Sequence, residues 1–181
     1  LYIEGDIMVP SHINNSDNDI SNSINLLISI LVRYPSLGAV NFLSETRELK
    51  FSFMVKGSYG KEIIENFDQN FINSFNAYLN LVGIKSVPIT INKIYYENFV
   101  IIAIKRDLQT ITGEEISFIN EFVKYYFANF LIVEEKQMLI EEEIQFQEEL
   151  IENMLDLLRQ TKLKKTLFAF RERGKVLVFN K

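Results

Sequence analysis

The sequence predicts an α+β domain in which a mostly antiparallel sheet packs against helices. Three observations carry this prediction. Apolar residues recur every three or four positions in some segments and every second position in others, which separates helices from strands. The predicted strands come in pairs joined by short turns, as antiparallel strands do. Hydrophobic residues make up 48% of the 181 residues, so the chain can bury a core.

The first predicted elements are a helix and a strand pair. The helix starts near Asp19 or Ser21, either of which can cap it, and ends before Pro35. A proline disfavours helical geometry in the residue before it. The strands follow at Leu37–Leu43 and Leu49–Val55. In the second of them apolar and polar residues alternate, which indicates a half-buried strand.

The same pattern then repeats. A second helix carries one apolar stripe and ends at Gly83. The stripe consists of Ile64, Phe67, Phe71, Phe75, Tyr78 and Val82. Two more strands, Pro88–Ile94 and Asn98–Lys105, form the next hairpin, so the main sheet is predicted to have four strands. The core is expected to include Phe53, Phe71 and Ile102.

The third predicted helix begins at Thr112, which is spaced for a capping box with Glu115, and continues to Leu158. Its apolar residues keep a seven-residue register for about six heptads, which favours a coiled coil with a second copy of the chain. The predicted dimer interface consists of Val133, Gln137, Ile140, Ile144, Gln147, Ile151, Met154 and Leu158. The two glutamines either fix the register of the seam or face water where the helix bends.

These elements divide the chain into three parts, which are a sensor-like α+β domain (1–133), a helical dimerisation extension (134–165) and a basic β-hairpin tail (166–181). The net charge of −5 hides an asymmetry, because an acidic helix leads directly into the basic tail. The basic residues that could contact an anionic partner are Arg159, Lys162, Lys164, Lys165, Arg171, Arg173 and Lys175. A lone hairpin is marginal in water, so it must add to the sheet, dock on a second chain or begin another domain.

No set of side chains has the spacing of a familiar catalytic or metal site. Cysteine is absent and His12 is the only histidine, which excludes thiolate chemistry and multi-histidine metal sites within one chain. The segment from Asp17 begins like a calcium loop, but Asn22 stands where glycine is required. The glycines Gly57 and Gly60 lack P-loop spacing and predict a turn. The glutamate clusters of the last helix predict a solvated face, so we expect no enzyme.

The layout resembles that of GAF-type sensor domains, and more loosely PAS-type domains, over roughly residues 22–133. The resemblance rests on the strand Leu37–Leu43 after a helix, on the late strand Val100–Lys105 with the segment Arg106–Ile116 behind it, and on a closing helix that continues outward. It implies a regulatory module that binds a small ligand or a protein partner. It carries over no ligand residues, so cofactor and ligand stay unknown.

The favoured hypothesis is therefore a non-enzymatic, cytoplasmic signalling module that forms a homodimer and has no membrane-spanning segment. The alternative is a nucleic-acid-associated protein that contacts phosphates through the basic tail, where Phe168, Phe170 and Phe179 are interleaved with basic residues. An enzyme with unfamiliar carboxylate chemistry is the third hypothesis. A pocket between sheet and helices would favour the first, and salt-dependent nucleic-acid binding would favour the second.

Overall fold

The computed structural model describes residues 15–57, 60–133 and 139–180. The helices are α1 (Asn15–Arg33), α2 (Lys61–Leu81), α3 (Gly113–Phe127) and α4 (Glu141–Gln160). The strands are β1 (Ala39–Leu43), β2 (Glu48–Lys56), β3 (Ile89–Tyr95), β4 (Phe99–Asp107), β5 (Leu167–Glu172) and β6 (Lys175–Asn180). The chain is thus α+β, as its sequence predicts. Among the described residues, no helix is both long and apolar enough to cross a membrane.

The six strands form one antiparallel sheet with the order β3-β4-β2-β1-β5-β6. The terminal hairpin joins this sheet through β5, which pairs with β1 from Ala39↔Phe170 to Phe42↔Leu167. The four strands predicted for the main domain are present as β1 to β4, and the hairpin extends the sheet to six strands among the described residues. The hairpin turn has positive φ at Arg173 (51°) and Gly174 (74°), as a type I′ turn requires.

All four helices lie on one face of the sheet, which we call the helix face. Residues 49, 51, 53 and 55 of β2 are buried on it. From this face Lys93 reaches Asp68 of α2, and Arg171 reaches the carbonyl of Leu31 in α1. The core lies between this face and the helices, and Phe53, Phe71 and Ile102 are fully buried in it, as predicted.

The prediction of one helix from Thr112 to Leu158 is wrong. Helix α3 ends at Phe127, and Ala128 takes a positive φ of 44° at the start of a 3-10 turn. Leu131 then forms an isolated bridge with Val55, and the next helix among the described residues begins at Glu141. The seven-residue register is present in the sequence, but its two halves lie on different helices. The first half, on α3, packs on α2 and the sheet, and the second half, on α4, packs on α1.

Helix α4 packs on α1 and buries Ile151, Leu155 and Leu158. Its carboxyl end is held by Arg47, whose guanidinium donates hydrogen bonds to the carbonyls of Leu158 (2.9 Å) and Thr161 (2.9 Å). These contacts satisfy carbonyls that have no partner within the helix. The described part of the predicted extension 134–165 therefore packs on its own chain, and residues 167–180 belong to the same sheet.

Candidate ligand-binding cleft

A cleft of about 730 Å³ opens between α1, α3 and α4. Its lining residues are Tyr34, Gly113, Glu114, Ser117, Glu148, Glu149, Ile151, Glu152 and Asn153. Small-molecule sites in proteins occupy roughly 300–1,000 Å³, so the cleft has the size of such a site. Four of the nine lining residues are glutamates, which gives the cleft an acidic character.

The end of α1 supplies an aromatic wall with a cation beside it. Because Pro35 stops the helix, Tyr34 leaves it at the edge of the cleft, where its side chain is buried. The guanidinium of Arg33 lies 4.8 Å from the centre of the Tyr34 ring and donates to Glu148 Oε1 from Nη2 (2.7 Å) and Nε (3.0 Å). A cation is thus held between an aromatic face and a carboxylate.

The start of α3 fixes a second carboxylate of the cleft. Thr112 caps the helix by accepting a hydrogen bond from the Glu115 N–H (3.2 Å). The Gly113 N–H donates to Glu152 Oε1 (2.6 Å), where the helix dipole favours an anion. A Cβ at position 113 would lie 2.6 Å from that oxygen, so glycine leaves room for the carboxylate. The predicted capping box is only half formed, because the Glu115 carboxylate bonds Arg106 instead.

Two tyrosines in this part of the molecule have raised pKa values, and burial is the main cause for both. Burial raises the pKa of Tyr34 above its ordinary value, and the carboxylate of Glu148 raises it further against the opposing effect of the neighbouring guanidinium. Burial likewise raises the pKa of Tyr78, with added effects from Glu114 and Glu115. A phenolate is disfavoured near other negative charges.

The four carboxylates of the cleft differ in what already holds them. Glu148 is paired with Arg33, and Glu152 accepts from the main chain of α3. The other two, Glu114 on α3 and Glu149 on α4, are exposed, and none of the described residues bonds to their carboxylates. They are the two groups on which a bound ligand could act without displacing a protein contact.

We expect the fold to be independent of metal. Within the described ranges, no group of three or more His, Cys, Asp and Glu side chains is arranged to hold a metal ion. His12, which the sequence predicts in an exposed loop, lies outside the described residues. Adding a chelator should leave the melting temperature unchanged in a thermal-denaturation scan. A fall of several degrees that zinc, calcium or magnesium reverses would contradict this expectation.

The structure does not bring the predicted dimer interface together on one surface. Ile151 and Leu158 are buried in the core, and Met154 packs against it. A second copy of the chain is not needed to cover these three residues, because α1 of the same chain covers them. The apolar seam of α4 is real, but its partner is a helix of the same chain.

The remaining interface residues lie nearer the start of α4. Val133 and Ile140 are exposed, whereas Ile144 and Gln147 are half-buried. The carbonyl oxygen of the Gln147 side chain is buried and has no hydrogen-bond partner among the described residues. Gln137 lies outside the described residues, so the alternatives for the glutamines stay open.

The predicted anion-contact residues fall into two groups. Two of them hold the fold together, because Arg159 donates to the carbonyls of Leu108 (3.1 Å) and Ile111, and Arg171 donates to that of Leu31. The other five are exposed, and they are Lys162, Lys164, Lys165, Arg173 and Lys175. Neither arginine guanidinium can leave its carbonyl partners for a phosphate without a cost to the fold.

Sequence reasoning missed most of the cleft. It noted Glu148 and Glu149 only as part of a solvated helix face, and it did not single out Tyr34 or Glu152. A signal was present in the acidic character of the last helix. The choice of which glutamates face inward depends on how α4 lies against α1, which no local pattern encodes.

Comparison with known proteins assigns the chain to no family. No family model, no curated protein and no solved structure matches it. Its function therefore has to be inferred from the chemistry of its own surfaces.

Proposed function

We propose that this chain is a non-enzymatic regulatory domain that binds a small organic cation in the cleft between α1, α3 and α4. The observation that supports this most directly is the pair of carboxylates, Glu114 on α3 and Glu149 on α4, which line a cleft of about 730 Å³ and bond to none of the described residues. Ammonium groups are the complementary partners for such carboxylates. A ligand with two or more amines, such as a diamine or polyamine, could reach both walls.

The contacts already present in the cleft support the choice of a cation. Arg33 shows that the Tyr34 ring and the Glu148 carboxylate accommodate a positive charge together. Beside the cleft, burial raises the pKa of Tyr78, and the carboxylates of Glu114 and Glu115 raise it further. An anionic ligand would meet four carboxylates there, and like charges repel strongly where water is partly excluded.

A regulatory role follows from where the cleft lies in the chain. One wall is α4, which is tied to the other two helices by the ion pair Arg33–Glu148 and the hydrogen bond from Gly113 to Glu152. A ligand that bridges α3 and α4 would favour one spacing of these helices, and so shift the populations of α4 positions. This proposal agrees with the GAF- and PAS-like resemblance of the sequence.

The test is calorimetric titration of the purified protein with putrescine, spermidine and agmatine, with acetate and phosphate as anionic comparisons. We expect at least one amine to bind, and added salt to weaken it. The double variant Glu114→Gln/Glu149→Gln should lose affinity by about tenfold or more. The matched control Glu141→Gln/Glu142→Gln removes the same charge from α4 outside the cleft and should bind like the wild type. An equal loss in both variants, or no amine binding at millimolar concentration, would contradict the proposal.

A further inference from the structure

The face of the sheet opposite the helices, which we call the open face, has no helix on it among the described residues. Its apolar side chains are half-buried or exposed, and they include Met54, Ile94, Ile101, Phe168, Phe170, Leu177 and Phe179. The Phe170 and Phe179 rings stack across the terminal hairpin with centres 5.6 Å apart. Apolar side chains grouped on a surface that no described helix covers mark an interaction surface.

Charge is segregated between the two layers of the molecule. The four helices carry fifteen acidic and four basic residues. The six strands carry three acidic and seven basic residues. Two helix layers would therefore repel each other, whereas the open face lacks this excess of negative charge. A second copy of the chain meets the least repulsion if it approaches through the sheet.

The open face carries two neighbouring rows of opposite charge. Glu48 of β2 lies directly across from Asp107 of β4, and Lys50 lies directly across from Lys105. Because side chains alternate along a strand, both rows point from the same face and are separated by about 7 Å. Within the described part of the chain neither row forms a salt bridge. Like charges that face each other across two strands are destabilising.

A group of opposite charge placed against either row would therefore reduce the repulsion within it. Burial lowers the pKa of Lys50 below its ordinary value, and Lys105 lowers it further. The other titratable groups of these rows are the two acids, and among the described residues they accept hydrogen bonds from the hydroxyls of Thr46 (2.7 Å) and Thr110 (3.3 Å). The two rows are also interchangeable by symmetry, since a twofold axis midway between them and parallel to them exchanges one with the other.

We propose that two copies of this chain form a homodimer through their open faces, so that the row Lys50–Lys105 of each copy lies across from the row Glu48–Asp107 of the other. Such a contact is isologous and closed, as in most soluble dimers. Packed sheets lie about 10 Å apart, a distance that lysine and carboxylate side chains span together. Phe168 and Phe179, which are level with the row Lys50–Lys105 across the sheet, lie within this contact, while the clefts stay on the outer surface. The proposal does not depend on what the cleft binds.

The decisive experiment is a charge exchange followed by native mass spectrometry and sedimentation. The variant Lys50→Glu/Lys105→Glu makes both rows acidic, and Glu48→Lys/Asp107→Lys makes both rows basic. We expect the wild type to be a dimer at about 50 μM, and each variant alone to raise the dimer dissociation constant by about tenfold or more. Mixing the two variants should restore a dimer, and its mass should be that of the heterodimer.

Matched controls separate this contact from a general effect of charge. Lys61→Glu/Lys85→Glu and Glu62→Lys/Glu97→Lys change the net charge equally at exposed positions away from the rows and should dimerise like the wild type. Far-UV circular dichroism shows whether each variant is folded. If a charge-reversed variant unfolds, Lys50→Gln/Lys105→Gln and Phe179→Ser provide milder tests of the same face, and both should weaken the dimer.

Three results would overturn the proposal. The first is a wild type that is monomeric at about 50 μM. The second is a dimer that all the open-face variants leave unchanged, above all if Ile140→Lys/Ile144→Lys dissociates it, because the interface would then lie on α4. The third is a pair of folded charge-reversed variants that do not associate when mixed.

Discussion

Replacing Arg106 with Met is expected to lower the free energy of unfolding by about 3–5 kcal/mol. Arg106 is fully buried, and its guanidinium bonds both carboxylate oxygens of Glu115, the carbonyl of Pro88 (2.7 Å) and the Thr110 hydroxyl (3.1 Å). Without the guanidinium, the Glu115 carboxylate stays buried and unpaired, which is among the most costly states for a side chain. Urea denaturation at pH 7 measures the loss.

Two companion variants show whether the cost arises from the buried charge. Adding Glu115→Leu to Arg106→Met should recover most of the stability, because apolar replacement of both partners of a buried pair is often nearly neutral. The control is Lys124→Met, which breaks the exposed pair with Glu121 and should cost less than about 1 kcal/mol. If Arg106→Met lowers the free energy of unfolding no more than Lys124→Met does, the buried pair of Arg106 and Glu115 contributes no more to stability than an exposed pair.

The pH dependence of the same variant has a definite sign. Burial raises the pKa of the Glu115 carboxyl above its ordinary value, and the hydrogen bonds and charge of Arg106 offset this only in part. A carboxyl with a raised pKa in the folded state contributes stability at low pH and loses it as the pH rises through that pKa. Removing Arg106 raises the pKa further, so the destabilisation by Arg106→Met should shrink between pH 7 and pH 5.

Local sequence patterns account for most of the elements but not for their assembly. The alternation in Leu49–Val55 and the stripe of α2 identify a strand and a helix, because each depends only on neighbours within a few residues. The pairing of β5 with β1 joins residues about 130 positions apart, and the sequence of Leu167–Glu172 does not indicate which strand it pairs with. The hairpin was therefore predictable, whereas its place in the sheet was not.

The error about α4 has a similar physical origin. An apolar seam records that a helix face is covered, but a partner helix in the same chain and one in a second copy produce the same pattern. The break after Phe127 contains neither glycine nor proline, and it depends instead on the positive φ of Ala128 and the bridge from Leu131 to Val55. The cleft depends on that break, since only a separate α4 can line the same cleft as the start of α3.

Replacing Phe71 with Ala is expected to cost about 3–5 kcal/mol, because it removes a buried ring and leaves a cavity that its neighbours cannot fill. Phe71 is fully buried on α2, with its ring centre 5.6 Å from that of Phe67, 5.7 Å from Phe75 and 5.2 Å from Phe122. The adjacent Ile72 is exposed on the same helix, so Ile72→Ala is a matched control that should change stability by less than about 1 kcal/mol. Denaturation curves of both variants at one pH give the comparison. Similar losses for the two would mean that the ring cluster between α2 and α3 is not the main packing contact of this half of the core.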